Sequence, residues 1–205
     1  MKPGPTPSLK PPSPKPVSRP RLPALRDPRT AVRIVGTAGV VVLLSHPVWA
    51  PRWGSGLLGE IAGRPLWASA AIVTGFLGLV ALYCRALQRT LTLVRPGARR
   101  AGPRSVWWMF AIPHNFIEDF FIVRAVAASL TADGAGARTV RRWTVLGYGW
   151  CVLQIVSLVP GPAGLAGGAA ALPVWAAHWW LTVRVNRALA AGPFPGVRAD
   201  RREVS

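Results

Sequence analysis

The segment "FAIPHNFIEDFF", residues 110–121, contains the side chains with the clearest capacity for chemistry. His114 and Glu118 are four residues apart, as are Asn115 and Asp119, so on a helix each pair would share a face. An ionisable group at membrane depth costs at least about 2.5 kcal/mol at the midplane, and it persists where it is paired or lines a cavity. The segment therefore indicates either an ion-paired structural element or a polar pocket.

Each alternative assigns different roles to the acidic pair. In the structural one, Glu118 and Asp119 lie at the cytoplasmic boundary and form ion pairs with nearby arginines. The expected partners are Arg89, Arg124 or Arg142. In the functional one, a polar pocket binds a cation, a proton or a lipid headgroup. The candidate residues of this pocket are His114, Asn115, Glu118, Asp119 and Arg124.

A metal site is a further alternative. The chain has three histidines, and His114, Glu118 and His178 could together supply ligands for zinc or iron. Neither an HxxxH nor an HExxH motif is present, and two cysteines are too few for a disulfide framework or a paired CxxC site. We therefore expect no cofactor, assign no catalytic residue and leave enzymatic activity open.

The composition indicates a membrane protein. Hydrophobic residues make up 51% of the chain and charged residues 16%, against an ordinary charged share of about 25%. Lys and Arg number 25 against 7 Asp and Glu, which gives a net charge of +18. Such an excess could bind nucleic acid or anionic lipid. Because the basic residues lie in blocks between apolar runs, and no nucleic-acid-binding motif is present, the sequence favours lipid.

Four apolar runs have the length of membrane spans. They cover residues 34–50, 66–84, 143–159 and 165–183. At about 1.5 Å per residue, these runs reach about 26–29 Å, close to a hydrocarbon core of about 30 Å. The glycine-rich stretch 161–168 is predicted to be an outer loop, and Pro173 predicts a kink or a late start of the last helix.

A fifth apolar run, residues 106–123, does not cross the membrane in the arrangement that the positive-inside rule favours. If it crossed, the arginines of 124–142 and the basic C-terminal tail would be external. If it does not cross, every arginine-rich segment is cytoplasmic, and only the arginine-poor loops 51–65 and 160–168 are external. The second arrangement therefore keeps both the 124–142 arginines and the C-terminal tail on the side that the rule requires.

The predicted fold is an all-α integral membrane protein with four transmembrane helices and one re-entrant or interfacial amphipathic helix within residues 106–130. Pro113 breaks that segment, because proline lacks an amide donor, and a helix starts at about residue 116. The helical bundle covers residues 31–190. A disordered Pro/Arg-rich tail, 1–30, precedes it and a basic tail, 191–205, follows it. Both tails are predicted to be cytoplasmic, in a protein of the cell's inner (plasma) membrane.

The order of these features resembles one protein family. A helix ends in "LYCRALQRTL", an Arg/Gly/Pro loop follows, and then come "WWMFAIPHNFIEDFFIVRAVAASL" and two more helices. The arrangement resembles the uncharacterised bacterial membrane proteins grouped as domain of unknown function 4328, over about residues 66–190. The resemblance implies a multi-pass membrane protein with no known activity, and the Glu118–Asp119 pair departs from its pattern. The matching positions are Trp107, Trp108, Pro113, Asn115, Arg124, Ala128 and Ser129.

These features predict a non-enzymatic membrane subunit or scaffold. Its partners would be the lipid bilayer, anionic headgroups bound by the basic tail and loops, and other membrane proteins or a second copy of the chain. No nucleic-acid partner is expected. The first alternative is a small-solute or ion transporter or channel element that uses Glu118 and Asp119. The second alternative is a membrane metalloenzyme.

Overall fold

The computed structural model describes residues 27–50, 52 and 56–192, with the backbone alone for 56–58. Within these ranges the secondary structure is helical and contains no strand. The described part of the chain is thus all-α, as predicted. The predicted tails 1–30 and 191–205 lie outside the described residues, apart from the few positions next to the bundle.

Six α-helices and two 3-10 helices form the described part of the chain. The α-helices are α1 Pro28–Trp49, α2 Gly56–Ala62, α3 Leu66–Leu93, α4 Asn115–Ala132, α5 Ala137–Val156 and α6 Pro162–Ala190. The 3-10 helices are Pro96–Ala98 and Pro103–Phe110. Helices α1, α3, α5 and α6 contain the cores of the four predicted apolar runs, and α4 corresponds to the helix predicted from about residue 116.

One expectation for the last helix is wrong, because the stretch predicted to be a loop, 161–168, is helical from Pro162 onwards. Of the two alternatives predicted at Pro173, the late start is excluded, since the helix runs through this residue. Gly161 has φ of 81°, a conformation that glycine adopts at little cost, and Pro162 follows at a first helical position, where its missing amide is not needed. This glycine–proline start explains why a run rich in small residues forms helix here.

Helices α3, α4, α5 and α6 all contribute side chains to the buried core. Tyr83 of α3 forms a 2.8 Å hydrogen bond between its hydroxyl and His178 Nδ1 of α6. Trp143 of α5 donates from Nε1 to Thr182 Oγ1 at 2.9 Å. Asn186 of α6 also donates to the Ala86 carbonyl of α3 at 2.9 Å, and a Cβ at Gly147 of α5 would lie 3.1 Å from His178 of α6. The order of these contacts along each helix makes α6 parallel to α3 and antiparallel to α5. At Gly147 of α5, a Cβ would lie 2.9 Å from the side chain of Val123, so the absence of a side chain lets α4 and α5 approach closely.

Residues 103–132 form a hairpin, hereafter the 103–132 hairpin, of one 3-10 helix and α4. The 3-10 helix lies along α3, where Trp107 Nε1 donates to Gln88 Oε1 at 2.8 Å. A turn with a cis Ile112–Pro113 peptide bond follows, and α4 then returns in the opposite direction. Both ends attach beside the C-terminus of α3. Arg95 Nε donates to Asp133 Oδ1 at 2.6 Å, and the Arg100 amide donates to Ser129 Oγ at 2.9 Å.

The C-terminal end of α3 defines one end of the bundle, which we call the basal end. The helix directions place the start of α5 and the end of α6 there as well. Most arginines of the described residues collect at this end. They include Arg85, Arg89, Arg95, Arg99, Arg100, Arg138, Arg141, Arg142, Arg184 and Arg187. The turn of the 103–132 hairpin, its tip, points away from the basal end into the bundle.

Two helices, α1 and α3, are long and apolar enough to cross a membrane, as judged by length and composition. Their most apolar windows have mean hydropathies of 1.6 and 1.9, and 11% of each window is buried within the structure. Helices α5 and α6 do not reach this criterion in the described part of the chain. Arginines occupy the first turns of α5, and α6 contains Pro173, His178 and several tryptophans, which lower the mean hydropathy.

Candidate functional site

The two adjacent acids at the hairpin tip face different neighbours. Successive residues of an α-helix are about 100° apart around its axis. Glu118 accordingly contacts α1, whereas Asp119 points towards α3 and α5. The structure thus separates the predicted polar pocket into two environments, one around Glu118 with His114 and one around Asp119 with Asn115.

Glu118 is held in a chain of polar contacts that connects α1 to the hairpin tip. Arg33 Nη2 of α1 lies 2.8 Å from Glu118 Oε1, and His114 Nε2 lies 3.4 Å from Glu118 Oε2. The other ring nitrogen of His114, Nδ1, is 3.2 Å from Thr37 Oγ1. The side chain of Glu118 is 14% exposed and that of Arg33 is 41% exposed. This part of the site is a partly buried ion pair with a histidine on its second oxygen.

A close approach between α1 and α4 makes this ion pair possible. Gly36 lies one turn from Arg33, and a Cβ there would be 2.6 Å from Ile117 Cδ1. The Arg33 guanidinium carbon also lies 4.6 Å from the centre of the Phe121 ring, within reach of a cation–π contact. Glycine on one helix and an aromatic ring on the other therefore position the arginine over the carboxylate.

The predicted arginine partners of the acidic pair are wrong. Arg89, Arg124 and Arg142 are exposed, and the ion pair of Glu118 is with Arg33. The reason is position along the bundle, because the hairpin carries Glu118 away from the basal end where those arginines collect. Arg124, a candidate pocket residue, lies about two turns beyond Glu118 on α4 and is outside both environments.

Asp119 is 1% exposed and lines a cavity of about 40 Å³. In the amide orientation that satisfies its neighbours, Gln154 donates to Asp119 Oδ2 at 3.3 Å and accepts from Trp150 Nε1 at 3.0 Å. Asp119 Oδ1 and Asn115 Oδ1 are buried without a hydrogen-bond partner. The cavity is lined by Phe76, Leu77, Val80, Met109, Phe110, Ile112, Asn115, Asp119, Trp150 and Gln154.

The electrostatics of the cavity disfavour a bare carboxylate. Within the described residues Asp119 has no ion pair. Asp119 lies in the hairpin, outside the four predicted spanning helices. Its burial, and to a smaller extent the charge of Glu118, raises the pKa of Asp119 well above its usual range. Removal of a charge from water costs several kcal/mol unless a counter-charge or a proton compensates it. Asp119 is therefore a site for a proton or a positively charged ligand.

The three candidate metal ligands are not brought together. His114 and Glu118 are neighbours, but His178 lies in the core, hydrogen-bonded to Tyr83 and 4.4 Å from Trp143 between ring centres. In the ranges that the structure describes, no group of three or more His, Cys, Asp and Glu side chains could hold a metal ion. A zinc or iron site of the predicted composition has no geometric support.

Sequence reasoning missed several residues of these environments. Arg33 lies in the predicted bundle, just before the first apolar run, and was not singled out, although an arginine next to an apolar run is a signal for an ion pair with an intramembrane acid. Gln154 is a lone amide in an apolar run, and such side chains mark interhelical contacts. Asp133, which is 4% exposed and pairs with Arg95, was likewise not singled out.

No protein-family model, curated protein or solved structure matches the chain. The resemblance noted for residues 66–190 stays a prediction.

Proposed function

We propose that the chain is a non-enzymatic subunit or scaffold of the plasma membrane, with four spanning helices and a re-entrant hairpin. The observation that carries this proposal is the exposure of the apolar windows of α1 and α3, of which 11% is buried. Soluble monomeric proteins rarely expose apolar surfaces of this extent to water. Lipid tails and the helices of partner proteins are the environments in which they are stable.

Exposed apolar side chains support a crossing by α5 and α6 as well. Val145 of α5 is 63% exposed, and Leu172 and Trp180 of α6 are 57% and 60% exposed. With 29 residues, α6 has a length of about 43 Å at about 1.5 Å per residue, more than a hydrocarbon core of about 30 Å. The opposite directions of α5 and α6 let them cross as an antiparallel pair.

The shape of the 103–132 hairpin supports re-entry from one side. Its C-terminal end attaches at the basal end through Arg95–Asp133 and Arg100–Ser129, and its N-terminal end follows directly from that same segment of the chain. Its tip contacts α1 and α3. Irregular backbone at membrane depth is tolerated where protein surrounds it. Packing of the tip between two helices supplies that surrounding.

The arginines orient the proposed protein. Positive side chains in short loops stay on the cytoplasmic side, so we place the basal end in the cytoplasm together with both tails. Each well-placed cation near an anionic leaflet contributes about 1 kcal/mol of attraction. The basal end would therefore contact anionic headgroups, as the sequence predicts.

The contacts of Glu118 support a structural role over transport. Arg33 Nη2 donates to Glu118 Oε1 at 2.8 Å, and His114 Nε2 lies 3.4 Å from Glu118 Oε2, so this acid holds α1 against the hairpin. A transporter or channel element that uses both acids would need Glu118 to release these partners. Each acid of the pair keeps one buried oxygen without a hydrogen-bond partner, Glu118 Oε2 and Asp119 Oδ1, but within the described residues only Glu118 has an ion pair.

Accessibility labelling tests the topology. In a variant with Cys84 and Cys151 replaced by alanine, single cysteines are introduced by Ala132→Cys at the end of α4 and by Glu60→Cys in α2, both at exposed positions. A membrane-impermeant maleimide should label Glu60→Cys in intact cells and Ala132→Cys only after permeabilisation. Labelling of Ala132→Cys in intact cells would show that the hairpin crosses the membrane and would overturn the arrangement.

A further inference from the structure

Two buried oxygens lack partners in the same cavity. Asp119 Oδ1 and Asn115 Oδ1 are both inaccessible to solvent and accept no hydrogen bond from the protein, and both residues line the 40 Å³ cavity. Buried polar atoms in folded proteins nearly always have a partner. Since both atoms are acceptors, one turn apart on α4, the missing partner must be a donor or a cation.

We propose that this cavity binds one monovalent metal cation of the sodium class, through Asp119 Oδ1 and Asn115 Oδ1. A single carboxylate balances a single positive charge, and the described residues supply no ion pair to Asp119. Carboxylate and amide oxygens are hard ligands that suit such ions. Gln154 holds the second carboxylate oxygen at 3.3 Å, which fixes the orientation of Oδ1 towards the cavity.

The composition and size of the cavity argue against other cations. Calcium takes six to eight oxygen ligands, and magnesium usually retains several of its waters, whereas this site offers one carboxylate among mostly apolar side chains. Zinc prefers nitrogen and sulfur ligands, and His114 is turned to Glu118 instead. A volume of about 40 Å³ accommodates two or three water-sized species, since one needs about 10–15 Å³. An ion with one or two waters fits.

This site goes beyond the proposed membrane role and does not depend on the topology. It requires only the packing of the hairpin tip against α3 and α5, which a detergent-solubilised protein keeps. Failure of the labelling experiment would therefore leave the cation site standing, and failure of cation binding would leave the topology standing.

Thermal unfolding of the purified full-length protein in detergent tests the site. The melting temperature is compared in sodium, potassium and choline chloride at equal ionic strength. Sodium at about ten times its dissociation constant should raise the melting temperature over that in choline by about 3–6 °C. The increase should saturate, with half-saturation at millimolar concentration.

Variants assign the effect to the cavity. Asp119→Asn should abolish the cation-specific increase, whereas Glu118→Gln and Asp133→Asn, which remove acids paired elsewhere, should retain it. Asn115→Ala should raise the half-saturating sodium concentration about tenfold, the equivalent of one lost ligand contact of about 1.4 kcal/mol. This variant keeps the test decisive if Asp119→Asn does not fold.

Three results would overturn the proposal. The first is an equal melting temperature of the wild-type protein in all three salts. The second is a cation-specific increase that survives in Asp119→Asn or is unchanged in Asn115→Ala. The third is an infrared carboxylic-acid band in saturating sodium that disappears in Asp119→Asn, because it would show that Asp119 carries a proton and not a metal ion.

Discussion

Helix α4 carries a buried acid near each of its ends, and the two acids are treated in opposite ways. At the basal end, Asp133 is 4% exposed and accepts from Arg95 Nε at 2.6 Å and from the Arg95 amide at 3.3 Å. At the tip, Asp119 is 1% exposed and has an amide partner but no ion pair within the described residues. The two acids are similarly buried, but only Asp133 has an ion-pair partner. Asp133 therefore stabilises the fold, whereas Asp119 is available to a ligand.

Glu118 is an intermediate case that clarifies the difference. It is adjacent to Asp119 in sequence, yet it faces α1 and pairs with Arg33. The partner of each acid is set by the helix that packs against its side of α4, not by its distance along the chain. Asp133 and Glu118 are thus each paired with an arginine of the protein, whereas Asp119 is not.

The largest loss of stability should come from breaking the Arg95–Asp133 contact at the basal end. Arg95→Ala leaves Asp133 buried beside α3 without its cation, and we expect a loss of about 2–3 kcal/mol of unfolding free energy. This figure is below the 3–5 kcal/mol of a fully buried pair, because Arg95 is 48% exposed. Thermal or denaturant unfolding in detergent, with Arg89→Ala as the control at an exposed arginine, measures it. Equal losses in both variants would remove the special role assigned to this contact.

A smaller effect is expected where α1 meets the tip. Arg33→Gln and Glu118→Gln should each destabilise the protein, and their double-mutant cycle should give a coupling energy of about 1 kcal/mol. Solvent screens this pair, because Arg33 is 41% exposed, which keeps the value near the upper range of surface pairs. The matched cycle pairs Arg33→Gln with Asp133→Asn and should be additive within about 0.5 kcal/mol. Additivity in the first cycle would mean that the ion pair does not hold α1 to the hairpin.

Part of this contrast could be predicted from the sequence. The apolar runs, the break at Pro113 and a helix after it depend on local composition, and the structure contains all of them. Arg33 as the partner of Glu118 could not be predicted, because it depends on α1 packing against α4 through Gly36. Similarly, the link from Asp133 to Arg95 spans 38 residues and requires the hairpin to return to the end of α3.

The two wrong assignments have a common physical origin. The partners Arg89, Arg124 and Arg142 were chosen because they flank the acids in sequence or in the predicted loops, but the tip points away from the basal end. Helix was not expected before residue 165 because small residues are poor local signals, although proline at the start and tight packing against α5 favour it. Local pattern thus predicts the elements, and tertiary packing decides their partners.

The smallest effect on stability should come from Asp119, and it should differ in sign. In choline chloride, Asp119→Asn removes a buried charge that lacks a cation, so we expect unfolding free energy to be unchanged within about 0.5 kcal/mol or to increase. The same change at Asp133 removes the partner of Arg95 and should lower stability. A loss above about 2 kcal/mol in Asp119→Asn under these conditions would show that the carboxylate is held by the protein itself.

The stability difference between the wild-type protein and Asp119→Asn should depend on pH, which gives a further test of whether Asp119 lacks a partner. Because burial, and then Glu118, raises the pKa of Asp119 in the folded state, the folded state binds its proton more tightly than the unfolded state. The contribution of Asp119 to stability is then complete below its unfolded pKa of about 3.9 and is lost as pH rises through the folded value. In choline chloride, the wild-type protein should therefore lose stability relative to Asp119→Asn as pH rises from about 4. Sodium should diminish this loss, because a bound cation stabilises the ionised form, whereas a difference that is independent of pH would place Asp119 among the compensated acids.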